Sequence, residues 1–162
     1  MKSVMEEQQK LHSSDLTERA EAAELLAQMG SDAVVAAVDL VQACGDEPEV
    51  RDWAVAALEE LGPPLHSSLE PLQPLVSSQN PLVAYWAITL LGRAGHEAQA
   101  CQDCIAKALS SEDASVQERA AWALGKIGAS SATSTEALKS AAESSNTRLS
   151  RIAAASLNPT SN

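Results

Sequence analysis

VRDWAVAALEELG at residues 50–62 returns as VAYWAITLLGRAG at 83–95 and as VQERAAWALGKIG at 116–128. LSRIAAASLNPT, from Leu149, begins a further copy at the same 33-residue interval. In register, Val50, Val83, Val116 and Leu149 form one column, and Ala54, Ala87, Ala120 and Ala153 the next. Leu58, Leu91, Leu124 and Leu157 form a third. Val50, Ala54, Ala57, Leu58 and Leu61 recur at helical spacing and mark a single apolar stripe. One short helix cannot bury such a stripe alone, so a fixed period of this size means stacked helical units.

Each unit is expected to hold two helices. Asp15, Glu47, Asn80, Asp113 and Asn146 stand just before the first helices, where a side-chain oxygen satisfies free amides. Pro48 and Pro81 follow two of them, at a position where a missing N–H costs nothing. Gly62, Gly95 and Gly128 are expected to end these helices as left-handed caps. Second helices are predicted at about 33–43, 67–77, 98–109 and 134–143. Pro71 and Pro74 interrupt the second of these. A start at Ser67 or Ser68 makes Pro74 a kink, and a start at Glu70 puts both prolines in the first turn of a short helix.

The expected fold is therefore all-α: an α-solenoid, or superhelix, of about four helix-pair repeats with half-repeat caps. Residues 1–14 form an N-terminal capping segment, with Val4, Met5 and Leu11 as its inner face. A single repeat domain spans 15–157, divided at about 15–45, 46–78, 79–111, 112–144 and a half-repeat 145–157. Residues 158–162 read as a frayed tail.

The columns V-x-x-x-A-x-x-A-L-x-x-I/L-G behind a capping Asp or Asn resemble the HEAT-like repeats of phycobilin lyases and of many bacterial scaffold proteins. The segment Asp113–Gly128 is the best match, and the resemblance spans roughly residues 15–157. It implies a helical scaffold whose second helices line a concave surface. It also implies an alternative: a bilin (tetrapyrrole) lyase-like enzyme, or an accessory subunit of a larger enzyme. Many such repeats carry Arg after the Val; here that column reads Arg51, Ala84, Gln117 and Ser150.

Composition narrows the partners. The chain carries 22 acids and 11 bases, a formal charge of −11. Residues 1–80 hold 15 of the acids and 4 of the bases, and residues 81–162 hold 7 of each. An acidic surface repels phosphate, so nucleic acid and anionic membrane are disfavoured. The apolar runs are too short for a membrane span. MKSVMEEQQK does not read as a secretory signal. Three cysteines without framework spacing point to a reducing compartment, and the expected location is the cytoplasm.

No catalytic constellation emerges, and no cofactor or metal is expected. His96, Cys101 and Cys104 lie close in sequence, but structural zinc needs four ligands and no second pair exists. Cys101 and Ile105 fall on the apolar stripe, which makes the cysteines core residues. His96-Glu97 is similar to the His-Glu pairs of deoxyhypusine hydroxylase. The equivalent positions Arg51-Asp52, Ala84-Tyr85 and Gln117-Glu118 carry no such pair.

The expected function is a non-enzymatic scaffold that binds a protein partner, specifically a basic or extended segment. Two surfaces are candidates. On the second helices, His66, Glu70, Gln99, Asp103, Lys107 and Glu136 share columns on the concave side, with Glu70, Asp103 and Glu136 as an acidic ladder. Lys107 stands one turn after Asp103 and is expected to neutralise it in part. On the first helices, Leu82, Tyr85 and Trp122 form either an exposed apolar patch or, with Trp122 lying over Gly92 and Gly125, a packed one. Helix 82–91 carries no charge, which is unusual for a surface helix. Trp53 and Trp86 share a column and are expected to pack between repeats.

Overall fold

A computed structural model describes residues 3–158. Among them are ten α-helices and no strand: α1 Val4–Lys10, α2 Leu16–Gln28, α3 Ala37–Ala43, α4 Pro48–Glu60, α5 Leu69–Leu72, α6 Pro81–Arg93, α7 Gln102–Ala108, α8 Ala114–Ile127, α9 Ala132–Ala142 and α10 Thr147–Leu157. The chain divides into two compact units, residues 1–71 and 72–162, with the boundary inside α5. Of the expected frayed tail only Asn158 lies within the described residues.

The columns are the core. Val50, Ala54, Ala57 and Leu58 are buried in the first unit, and Val83, Ala87, Leu91, Val116, Ala120, Leu124, Leu149 and Ala153 in the second. Their small alanines let neighbouring first helices approach closely. At the α6–α8 contact, a methyl placed on Gly92 would lie closer than 3.0 Å to the Trp122 ring. The Gly125 position is closed in the same way by Ser156 of α10, whose hydroxyl donates to the Ala121 carbonyl at 2.7 Å. Trp122 therefore lies over Gly92, and Ser156 takes the place at Gly125. The charge-free stretch 82–91 of α6 is buried along most of its length, as is Gly92, with Leu82 and Tyr85 half-buried. It is an interior helix rather than an unusual surface one.

Caps follow the sequence with two exceptions. Asp15, Asn80, Asp113 and Asn146 each accept first-turn amides at 2.7–3.4 Å. The Glu47 side chain makes no capping bond; Asp46 instead accepts the Glu47 amide at 2.7 Å. Gly95 and Gly128 are left-handed, as is Gly30, but Gly62 is not. The reason is Pro63. A left-handed Gly cap is completed by the N–H of the residue after it, and proline has none. The helix leaves through Leu61 in extended geometry instead.

Serines complete the caps. Ser13, Ser78, Ser111 and Ser144 stand two residues before Asp15, Asn80, Asp113 and Asn146, and each hydroxyl accepts the cap residue's amide at 3.1–3.2 Å. Ser78, Ser111 and Ser144 are 33 residues apart and form a further column of the repeat.

Second helices are where the expectation is corrected most. Gly30–Ala36 and Gly95–Cys101 are 3-10 segments that pass into short α3 and α7, whereas α9 is α-helical throughout. Ser131 explains the difference. Its hydroxyl accepts the Ser134 amide at 3.1 Å and starts α9 cleanly. The corresponding residues in the other two segments are Ala33 and Ala98, which have no acceptor. Tighter i→i+3 bonds then satisfy the first-turn amides. Around the prolines the segment breaks into three: 3-10 His66–Ser68, α5, and 3-10 Gln73–Ser77. Each proline sits near the start of its own short piece.

The first unit's α1 buries Glu7 and the following Leu11, while Met5 is 66% exposed, against the expectation for that residue. Lys10 reaches the Glu7 carboxylate at 2.9 Å. Opposite α1, Asp39 of α3 accepts from Gln8 at 2.6 Å and pairs with His12 at 2.7 Å. Arg19 grips Asp46 through two parallel bonds, Nε to Oδ2 at 2.7 Å and Nη2 to Oδ1 at 2.9 Å. That fork ties α2 to the turn before α4.

Candidate functional site

The expected second-helix residues are all exposed. His66 and Glu70 belong to the first unit; Gln99, Asp103, Lys107 and Glu136 belong to the second. In the second unit two of them hold repeats together. Gln99 donates to the Gly128 carbonyl at 3.3 Å, and Asp103 accepts the Ser131 hydroxyl at 2.5 Å. Asp103 thus bonds Ser131 of the next repeat rather than Lys107 one turn on. Lys107 lines a groove of about 620 Å³ with Ser77, Ser78, Ser110, Ser111 and Asp113.

Gln102, which sequence reasoning passed over, is more central. Its side-chain oxygen accepts from the Ser130 amide at 2.8 Å, the Ser131 amide at 2.9 Å and the Ser134 hydroxyl at 3.1 Å. One residue of α7 thereby fills the amide-rich start of α9. Its column neighbours Leu69 and Thr135 lack this amide, so repetition gave no signal for it.

The first-helix surface of the second unit is built differently from an exposed apolar patch. Leu82, Tyr85 and Trp122 are each half-buried. Between the two rings lies Arg119, its guanidinium 4.5 Å from the Tyr85 centroid and 4.9 Å from that of Trp122. Arg119 also donates to the Tyr85 hydroxyl. At these distances the cation is held by the attractive ring quadrupoles of both aromatics. Beside this stack opens a groove of about 300 Å³ lined by Ser115, Glu118, Arg148 and Ile152. Arg148 pairs with Glu118 at 3.1 Å, and Asn146 donates to the same carboxylate at 3.2 Å.

Trp86 is 6% exposed and lies under the Arg93 guanidinium, 5.6 Å from its ring centroid. Trp53 is 41% exposed, against the packing role expected of it. The position equivalent to Arg93 in α4 is Glu60, and an anion is repelled by an aromatic face.

The chemistry available to the thiols is limited. Burial pushes Cys44 up to about 12 and Cys104 up to about 11, and it raises Cys101 as well. Such thiols stay protonated at neutral pH and are poor nucleophiles. The Cys104 thiol donates to the Cys101 carbonyl at 2.9 Å. His96 is exposed beside Gly128. Among the described residues no three His, Cys, Asp or Glu side chains gather to hold a metal ion. No described helix is long and apolar enough to cross a membrane.

No curated protein matches the sequence. Solved structures do. An engineered protein is 22% identical over 96% of this chain and 78% of its own, with a TM-score of 0.65. A designed armadillo repeat protein in complex with the peptide (KR)4 is 17% identical over 93% of this chain and 79% of its own, also at 0.65. The complex of CpcE and CpcF of phycocyanin lyase from Nostoc sp. PCC7120 is 21% identical over 98% of this chain and 66% of that one, at 0.63. At these identities the likeness is one of fold: helix-pair repeats of the solenoid type. The profile of the HEAT repeats matches residues 69–158, more than half of the chain. By its columns, its helix pairs and that match, the chain belongs to the HEAT repeats family.

Proposed function

We propose that this protein is a non-enzymatic scaffold that binds an extended basic segment of a partner protein. One observation carries the reading. The first unit holds 15 acids against 4 bases, while the second holds 7 of each. The same unit displays all five exposed large apolar side chains among the described residues: Met5, Leu16, Val35, Trp53 and Leu65. Negative charge combined with uncovered apolar surface suits a partner that is both cationic and partly apolar. Nucleic acid is a poor fit to that charge. The designed armadillo protein of similar fold is complexed with an alternating Lys-Arg peptide, which supports a basic ligand for a repeat stack of this kind. Three free thiols accord with a cytoplasmic setting.

The second-helix residues extend the proposal. Glu70 adds to the acidic surface of the first unit, with His66 beside it, and Glu136 offers a carboxylate in the second. Titration of the full chain with a (Lys-Arg)4 peptide tests the reading. Binding should be saturable and weaken steeply between low and physiological salt, because exposed charges lose reach beyond about 10 Å at 0.1 M. A glutamate octamer should not bind. Equal affinity for both peptides, or none for the basic one, refutes it.

A rival reading, a bilin-lyase-like enzyme or an accessory subunit of one, draws on the likeness to the CpcE–CpcF complex. Co-expression with a tetrapyrrole source separates the two, since the lyase reading requires a coloured partner to copurify.

A further inference from the structure

The chain has four aromatic side chains: three Trp, one Tyr and no Phe. Three of the four are covered by an arginine of the chain itself. Arg93 lies over Trp86, and Arg119 lies over both Tyr85 and Trp122, at 4.5–5.6 Å from the ring centroids. Trp53 is the exception. It is 41% exposed and, among the described residues, carries no cation over its ring.

The repeat itself shows what is missing. Trp53 and Trp86 are the same column, 33 residues apart, and Arg93 stands seven residues after Trp86. Seven residues after Trp53 stands Glu60. Two turns of helix return nearly to the same face, so Glu60 lies on the Trp53 stripe, as does Glu49 one turn before it. Both glutamates are exposed. Where the second unit supplies a ring and its guanidinium, the first supplies a ring flanked by two carboxylates.

We infer that Trp53, flanked by Glu49 and Glu60, is the docking point for an arginine of the basic partner segment. The incoming guanidinium stacks on the indole as Arg93 does on Trp86, and its N–H groups reach the flanking carboxylates. Arginine fits better than lysine because its flat, weakly hydrated cation satisfies the ring face and a carboxylate together. This inference rests on the reading above, and it places one contact of that segment within the first unit.

The test uses the full chain and the (Lys-Arg)4 peptide, with affinity measured by calorimetry and the indole N–H signals followed by NMR. The Trp53 signal, assigned by its loss in Trp53→Phe, should move most on titration. Trp53→Ala should weaken binding by about two- to fivefold for one lost exposed cation–π contact. Trp53→Phe should restore most of that loss. Glu60→Arg copies the second unit's arrangement and should block the site, weakening binding more than Glu60→Gln. An octalysine peptide should lose less than (Lys-Arg)4 when Trp53 is removed. If the wild type binds the peptide and Trp53→Ala binds it equally well, the docking point is overturned while the scaffold reading stands. If the wild type binds no basic peptide, both fall. Trp53 is surface-exposed, and unchanged circular dichroism of each variant separates a lost contact from a lost fold.

Discussion

Gly92→Ala isolates the close approach of α6 and α8. Two terms oppose each other. Replacing a helical glycine by alanine favours the helix by up to about 1 kcal/mol, and Gly92, in the last turn of α6, gains at most that. Against it, the new methyl would fall closer than 3.0 Å to the Trp122 ring and 3.1 Å from Cα and Cβ of Ala123. Forcing an extra carbon into such a contact costs about 1–3 kcal/mol. The net expectation is a destabilisation of about 1 kcal/mol, reaching about 2 if the ring cannot move. Trp122 is half-buried, so its ring has room to swing outward, but doing so pulls it from Arg119. In a Trp122→Ala background the main clash is gone and only the 3.1 Å contacts to Ala123 remain. There Gly92→Ala should be neutral or stabilising by up to about 1 kcal/mol. The two sites should therefore couple by about 1–2 kcal/mol. Urea denaturation of the four proteins, followed by circular dichroism with slopes held equal, measures this directly. An identical cost of Gly92→Ala in both backgrounds would show that Trp122 does not rest on Gly92, and the outer surface described above would have to be rebuilt.

Leu91 is fully buried, so Leu91→Ala should cost about 2–5 kcal/mol. At about 2–4 °C per kcal/mol for a chain of this size, calorimetry should read a clear fall in melting temperature. The hydrogen bonds from Arg19 hold the Asp46 carboxyl below its usual range, with help from the Glu47 amide. A depressed carboxylate stabilises the fold above its unfolded value, near 3.9, and that stability is lost as pH falls through the lower folded value. Asp46→Asn should accordingly flatten the acid limb of a urea-midpoint titration, and an unchanged limb would refute the fork's role. Gln102→Ala removes the acceptor of two backbone amides, while the Ser134 hydroxyl keeps the Ser131 carbonyl, so hydrogen exchange at Ser130 and Ser131 should quicken while the centre of α8 is unaffected. The buried thiols Cys44 and Cys101 should resist alkylation at pH 8 until the protein unfolds, and elemental analysis of purified protein should find no stoichiometric zinc. One zinc per chain, lost on Cys101→Ser, would overturn that expectation.

Which parts were legible in the sequence has a physical pattern. The columns Val50, Ala54, Leu58 and their 33-residue copies were readable because burial on one helix face imposes a period. Asp113 and Asn146 were readable because capping is a local act between near neighbours. The Gly62 cap failed for an equally local reason, since Pro63 removes the donor that completes it. The second helices were harder, because Ala33, Ala98 and Ser131 are all small residues outside the apolar columns read in the first helices. They differ in whether a hydroxyl is present to start the helix.

Surface chemistry was the least legible because it is made by residues that depart from the repeat. Gln102 has no counterpart in its column, yet it pins α9. Arg119 stands in the column of Trp53 and Trp86, replacing a ring by a cation that reaches the preceding repeat's Tyr85. The column reads Trp53, Trp86, Arg119, Ile152, and Arg93 and Glu60 occupy equivalent places seven residues after the two tryptophans. Positions that repeat faithfully are constrained by the helices on either side. Positions that do not repeat are released from that constraint and can answer to something else. Glu60 is such a position: an arginine there would cover Trp53 as Arg93 covers Trp86, and a glutamate leaves the ring open in an acidic setting. A scaffold built by stacking keeps its core columns alike and differentiates its surface, so on the proposed reading the departures from the period are where a partner would be read.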